Sequence, residues 1–227
     1  MRKNMTVTYL FIYNLLQFCG HSWIFSNMTA RLFSFGKDAL ADTFYSIGVV
    51  MSFFQLLSVL ELFHILDGIE HDWFLPRFLQ VLERNILLFV VIASQEEVQS
   101  KCIVCVLFYI WNILDIMKYT YHLMALICTP FYSLAWISST FCIPLFPLAA
   151  LAEVITIYQS LPYFEALGTF SFQVSFPVPI YVHFPYILQL YMPVLALGNL
   201  VTAIPQGPAS TSATCSREGA SAWENTA

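Results

Sequence analysis

The chain has 227 residues, 59% of them hydrophobic and only 10% charged, with a mean hydropathy of +0.71. That composition leaves too little polar surface for a water-soluble domain of this length. A formal net charge of −5, from 9 Lys and Arg against 14 Asp and Glu, argues against a nucleic-acid-binding protein, which would show a basic patch.

Apolar runs between short polar breaks predict an all-α, polytopic membrane protein, with helices over 7–25, 44–66, 74–94, 102–127, 132–158 and 180–203. A crossing takes about 20 residues, so six transmembrane helices fit. Breaks are expected over 31–42, 67–72, 94–101 and 129–130, with a longer one over 160–179. The organisation is thus a membrane domain over 7–203 and a small, polar tail over 204–227 with the composition of a disordered segment.

The first helix follows Arg2 and Lys3, but Tyr13, Asn14 and Gln17 interrupt its apolar region and no small-residue cleavage site follows. It is read as a retained helix rather than a signal peptide. Asn4 and Asn27 each open an N-x-Thr sequon, both too near expected membrane boundaries to serve as glycan sites. With a cytosolic amino terminus, Arg2, Lys3 and Arg217 face Arg31, Lys37 and Lys101 across the bilayer, so charge bias sets no orientation.

In the second helix Glu61, His64 and Gly68 share one side. Either the carboxylate orients the imidazole toward a headgroup or proton, or both make a helix–helix contact. The third helix carries Arg77, Gln80, Glu83 and Arg84. Arg77, near its start, is placed to snorkel, while Glu83 and Arg84 are expected to face other helices. Arg77 and Arg84 lie nearly on one face, within reach of Glu61, Asp115 or Glu153 on other spans, or of phosphates at the membrane surface.

The fourth helix opens with Cys102 and Cys105 in CxxC spacing, but no second pair accompanies them, and membrane packing is the reading preferred over a metal or redox site. Further along, Asp115, Lys118, Tyr119 and His122 line one face, where Asp115 and Lys118 are spaced to neutralise each other. A polar cavity and an interhelical polar lock both fit this pattern. The fifth helix contains Pro144 and Pro147, which favour a kink, and Glu153, whose apolar neighbours demand a partner helix or polar cavity. Such a carboxyl group suits acid–base chemistry as well as a plain buried hydrogen bond.

The stretch LFPLAALAEVITIYQSLPYFE resembles the membrane-bound very-long-chain (3R)-3-hydroxyacyl-CoA dehydratases, also called protein tyrosine phosphatase-like proteins. YLFIYNLLQF, LELFHILDG and WNILDIMKYTYHLMAL resemble the same family in the same order, and the likeness runs over about 7–203. The resemblance implies a six-helix enzyme of the endoplasmic reticulum membrane. Its reaction would be the third step of fatty acid elongation, dehydration of a long-chain (3R)-3-hydroxyacyl-CoA to a trans-2-enoyl-CoA. It also implies contacts with membrane lipids and with the elongases and reductases of the cycle, and no nucleic acid. Simple dehydration requires no cofactor and no metal.

The family's catalytic Tyr and Glu match Phe146 and Glu153 here, so the Glu is kept and the Tyr is lost. Phe has no proton to give, and a missing general acid or base typically costs about 10²–10⁴-fold in rate. Tyr119, Tyr121 and Tyr158 are the candidate substitutes. The family's Glu and Arg on the fourth helix become Asp115 and Lys118, and its Arg-Tyr pair near the start of the fifth becomes Ser138 and Ser139. Glu61, His64, Arg77, Arg84, Asp115, Lys118 and Tyr119 are the supporting or substrate-facing candidates. The lysine-rich end expected of such proteins is absent from the tail, which bears on retrieval to the endoplasmic reticulum.

The leading expectation is therefore a hydro-lyase with Glu153 as its acid–base carboxyl group. Phe146 supports the alternative, a catalytically impaired member that binds elongation enzymes or lipids. Intramembrane Asp115, Lys118 and Glu153 also fit a transporter, although no inverted repeat or ion-filter motif is visible.

Overall fold

A computed structural model describes residues 2–69, 74–127, 132–174 and 180–203. The tail over 204–227, the turn at 129–130 and Asp72 lie outside the described residues, as do the side chains of Ser138 and Ser139.

Among the described residues the fold is helical, apart from one short antiparallel strand pair. The first helix, α1 (Arg2–Phe35), runs ten residues beyond the expected end at position 25. Polar Arg31 does not break it, because no Gly or Pro interrupts 26–35. The stop is Gly36, at φ 60, whose N–H closes on the Leu32 carbonyl at 2.9 Å. A short α2 (Lys37–Ala41) leads into α3 (Thr43–Leu57) and α4 (Val59–Leu66), which together fill the expected second span with only Ser58 between them.

The expected third span divides into α5 (Phe74–Ile86) and a π-helical segment, Leu87–Ile92. The π segment buries Leu87, Leu88, Val91 and Ile92 completely. After α6 (Glu96–Gln99) come α7 (Cys102–Ile127) and α8 (Tyr132–Leu167). α8 keeps Pro144, Pro147 and Pro162 inside a continuous 36-residue helix and runs nine residues past the expected end at 158. The expected break over 160–179 is therefore helical up to Leu167. It then forms an antiparallel hairpin of β1 (Phe172–Val174) and β2 (Ile180–Val182), Phe172 opposite Val182. α9 (Phe184–Ala203) follows, with Pro193 inside it.

α7 packs between α1 and α8, α3 lies against α1, and α9 covers both α8 and α5. At Gly20 of α1 the Phe54 ring of α3 occupies the space a Cβ would need. The shared core joins Ile24, Met51, Leu88, Phe108, Trp111 and Ile157. Large apolar side chains such as Val49, Phe53, Leu151 and Leu190 face outward, as a lipid-embedded surface requires.

Among the described residues, three helical stretches are long and apolar enough to cross a bilayer: Thr43–Leu66, Cys102–Ile127 and Pro144–Leu167. Phe184–Leu195 is a shorter apolar helix. This is an all-α, polytopic membrane fold, with three such stretches where the apolar runs suggested six. α1 and α5 fall outside the three. Buried polar residues dilute both: Asn14, Gln17 and His21 on one, Gln80, Glu83 and Arg84 on the other.

Candidate active site

Three of the buried carboxylates, Glu61, Asp115 and Glu153, are each served by donors from other helices. Glu61 of α4 is 3% exposed. Arg77 of α5 reaches its Oε2 through Nε at 2.7 Å, with a second guanidinium nitrogen at 2.5 Å, and Lys118 of α7 pairs with the same oxygen. The hydroxyl of Tyr119 donates to Oε1 at 2.5 Å. Tyr13 of α1 lies 3.4 Å from the same oxygen and donates at 3.0 Å to the Leu57 carbonyl, while Gln17 donates to the Tyr13 oxygen at 3.0 Å. Arg77 also donates to Gln80 at 2.5 Å.

Asp115 of α7 is the second centre. Arg84 of α5 donates to both of its oxygens, at 2.7 and 2.9 Å, Gln55 of α3 donates at 3.3 Å, and His21 of α1 stands 3.7 Å away. The other ring nitrogen of His21 bonds Asn112 at 2.8 Å, and the Asn112 amide donates to the Phe108 carbonyl at 2.7 Å. Four helices thus meet at one carboxylate in an interior where an unpaired charge would be costly.

Glu153 of α8 is the third, only 2% exposed. The indole N–H of Trp111 donates to its Oε1 at 2.9 Å across the α7–α8 contact. The Arg84 guanidinium, already paired with Asp115, lies over the Trp111 ring at 5.5 Å. A chain of contacts therefore runs from Asp115 through Arg84 and Trp111 to Glu153. Phe146, also buried, lies two turns earlier on α8, about 10 Å along the axis, and offers no donor.

Two expected pairings are replaced. Asp115 and Lys118, three apart on one helix, do not neutralise each other: Asp115 takes Arg84 and Lys118 takes Glu61. Their side chains diverge because each finds a better-placed partner on a neighbouring helix. Nor does Glu61 orient His64, whose Nε2 bonds the Tyr9 hydroxyl at 2.9 Å while its ring packs edge-on against Tyr9 and Tyr13. Arg77 does more than snorkel, since Glu61 holds it. Of the substitute phenols, Tyr119 is committed to Glu61, Tyr158 is 68% exposed, and Tyr121 packs edge-on against His122. Cys102 is an exposed free thiol and Cys105 a buried one.

The sequence reading passed over Trp111, His21, Asn112, Gln55 and the polar stripe of α1. Two signals were present. Asn14, Gln17 and His21 recur at helical spacing in an apolar helix, and Trp111 stands one turn before Asp115.

A helical membrane protein with carboxylates clamped inside its bundle is the class this architecture defines. Within that class, the chain belongs to the family described as "Protein tyrosine phosphatase-like protein, PTPLA", whose model matches residues 55–204. It is 56% identical over 201 residues to the human protein named "Very-long-chain (3R)-3-hydroxyacyl-CoA dehydratase 4", covering 88% of this chain and 84% of that one. The mouse protein of the same name is equally similar, 56% over 201 residues with the same coverage. A Xenopus laevis protein named "Very-long-chain (3R)-3-hydroxyacyl-CoA dehydratase" is 60% identical over 193 residues, 85% of this chain and 88% of its own length. No solved structure matches the chain.

Proposed function

We propose that this protein dehydrates long-chain (3R)-3-hydroxyacyl-CoA to the trans-2-enoyl-CoA in the third step of fatty acid elongation. The observation that carries the reading is the buried Glu153 carboxylate, held by the Trp111 indole in a chain 56% identical to relatives named for that reaction. Elimination needs a base for the C2 proton and an acid for the departing C3 hydroxyl. Glu153 is a carboxyl group sequestered from water in the bundle, suited to take the first part. The acyl chain would lie along apolar helix surfaces and the CoA at the cytosolic boundary.

On this reading residues 7–203 form a six-span membrane domain of the endoplasmic reticulum, in which α1, the α5–π segment and α9 complete the crossings. Each is long enough to help span a core of about 30 Å at 1.5 Å per residue. Their polar side chains point into the bundle, where partners exist. Lipids would surround the domain, with the elongases and reductases of the cycle as partners. Glu61 and Asp115, with Arg77, Arg84, Lys118 and Tyr119, would hold the helices in the geometry Glu153 needs.

Phe146 supports a second reading, a family member without turnover that binds elongation enzymes or lipids, because a buried Phe stands where the family's Tyr is matched. The test uses the purified full chain in lipid nanodiscs with a long-chain (3R)-3-hydroxyacyl-CoA. Enoyl-CoA that forms with wild type and not with Glu153→Gln supports the dehydratase. Substrate binding with no product from wild type, and product from Phe146→Tyr, supports the second reading.

A further inference from the structure

We propose that Tyr191 of α9 supplies the phenol that Phe146 lacks, standing opposite Glu153 as the proton donor to the departing hydroxyl. The proposal rests on the dehydratase reading and deepens it.

The inward face of α9 is marked by Leu188 and Leu195, which are 3% and 2% exposed, and by Gly198. Gly198 comes close to the Glu83 carboxylate, whose Oε2 lies 4.0 Å from where a Cβ on this glycine would sit. Tyr191 follows Leu188 by three residues and precedes Leu195 by four, so it shares that face. It is half-buried and packs against the core that contains Phe146, Ala149 and Ala152 of α8.

The height along the bundle also fits. The rings of Phe164 and Phe184 meet 5.1 Å apart where the hairpin joins α8 to α9. Both helices run back from that contact, and seven residues bring one to Ile157 and the other to Tyr191. Glu153 lies four residues further along α8, about 6 Å in axial rise. That is about one helical turn between the levels of the two residues, on helices that pack against each other.

Other phenols have other work. Tyr9 bonds His64, Tyr13 donates to the Leu57 carbonyl, Tyr109 donates to Thr29 and Tyr119 to Glu61. Tyr191 approaches Glu153 from the hairpin side, whereas a hydroxyl at position 146 would approach from two turns away on the other side. The C2–C3 bond of the substrate would accordingly lie along α8 in the reverse sense.

The step balances without a co-reactant. Glu153 takes the C2 proton, and the electrons of that C–H bond form the C2=C3 double bond. The C3–O bond breaks, and the hydroxyl takes the Tyr191 proton and leaves as water. The proton on Glu153 then restores the phenol.

The experiment measures enoyl-CoA formation by the full chain in nanodiscs for wild type, Tyr191→Phe, Phe146→Tyr, the Phe146→Tyr/Tyr191→Phe double variant and Glu153→Gln. Tyr191→Phe should lower kcat by about 10²–10⁴-fold with KM unchanged. The double variant should regain turnover, which a merely structural role for Tyr191 would not allow. Wild-type kcat retained in Tyr191→Phe overturns the assignment and leaves the dehydratase reading standing. An inactive wild type with an active Phe146→Tyr also overturns it, while leaving Glu153 as the carboxyl group. Inactivity of both wild type and Phe146→Tyr, in samples that remain folded and bind no substrate, overturns the dehydratase reading and this assignment together.

Discussion

Trp111 donates its indole N–H to the carboxylate of Glu153 at 2.9 Å, and the same ring carries the Arg84 guanidinium on its face. The carboxylate is thereby held in one rotamer by a helix other than its own, and the holder is itself braced by the Arg84–Asp115 pair. Three helices, α5, α7 and α8, share this arrangement.

Trp111→Phe keeps an aromatic face for Arg84 but removes the donor along with part of a fully buried indole, so the loss is at least that of the bond. A hydrogen bond to a charged group contributes about 1.5–3 kcal/mol. Chemical denaturation in mild detergent should show a loss of at least that size. If Glu153 is the acid–base group, kcat should fall roughly 10–100-fold, as the same energy expressed at the transition state gives. A variant with reduced stability and unchanged kcat would make the bond purely architectural.

Breaking the Arg84–Asp115 pair from one side strands a charge among apolar helices. Arg84→Met or Asp115→Leu alone should each cost about 3–5 kcal/mol. The double variant, with apolar groups on both sides, should recover much of that loss. A double-mutant cycle on unfolding measures the coupling directly. Strict additivity would mean that the contact of one Arg84 nitrogen with both Asp115 oxygens, at 2.7 and 2.9 Å, contributes nothing specific.

Glu61 has two cationic partners of unequal standing. The Arg77 side chain is 9% exposed and that of Lys118 is 23% exposed. The more accessible ammonium is better solvated and its attraction more screened. Arg77→Met should therefore destabilise more than Lys118→Met, and added salt should weaken the contribution of Lys118 more. Denaturation midpoints of the two variants at low and high salt check the order.

How far the sequence reveals this site depends on where each partner lies. The apolar runs mark the helical cores, and the isolated position of Glu153 among Leu151, Ala152, Val154 and Ile155 marks it as inward-facing. Spacing on one helix, however, says nothing about which neighbour sits across from it. Asp115 and Lys118 look like a pair at three residues, yet their partners are on α5 and α4. The same limit hid Trp111, whose significance comes from a residue 42 positions away. Helix ends misled for a different reason. Arg31 reads as a loop residue by polarity, but it stays helical and pairs with Asp42, while the real stop is the positive φ of Gly36.

The contact of α1 with α3 depends on a missing side chain. Gly20 leaves the space that the Phe54 ring fills, and a methyl group there would overlap ring carbons. Packing rather than hydrophobic transfer supplies the energy here, because lipid and core are similarly apolar and close packing is what holds such helices together. Gly20→Ala should destabilise the bundle by about 1–3 kcal/mol, the usual range for an overpacked interior. Adding Phe54→Leu, which shortens the opposing side chain, should return part of the loss, whereas Phe54→Leu alone should be destabilising. Unfolding free energies of the three variants decide it: equal losses in Gly20→Ala and the double variant would mean that the two helices do not meet at this point. His21, next to Gly20 on α1, binds Asn112 and stands beside Asp115, so a shift of α1 should also loosen those contacts and lower whatever turnover depends on Arg84 and Trp111.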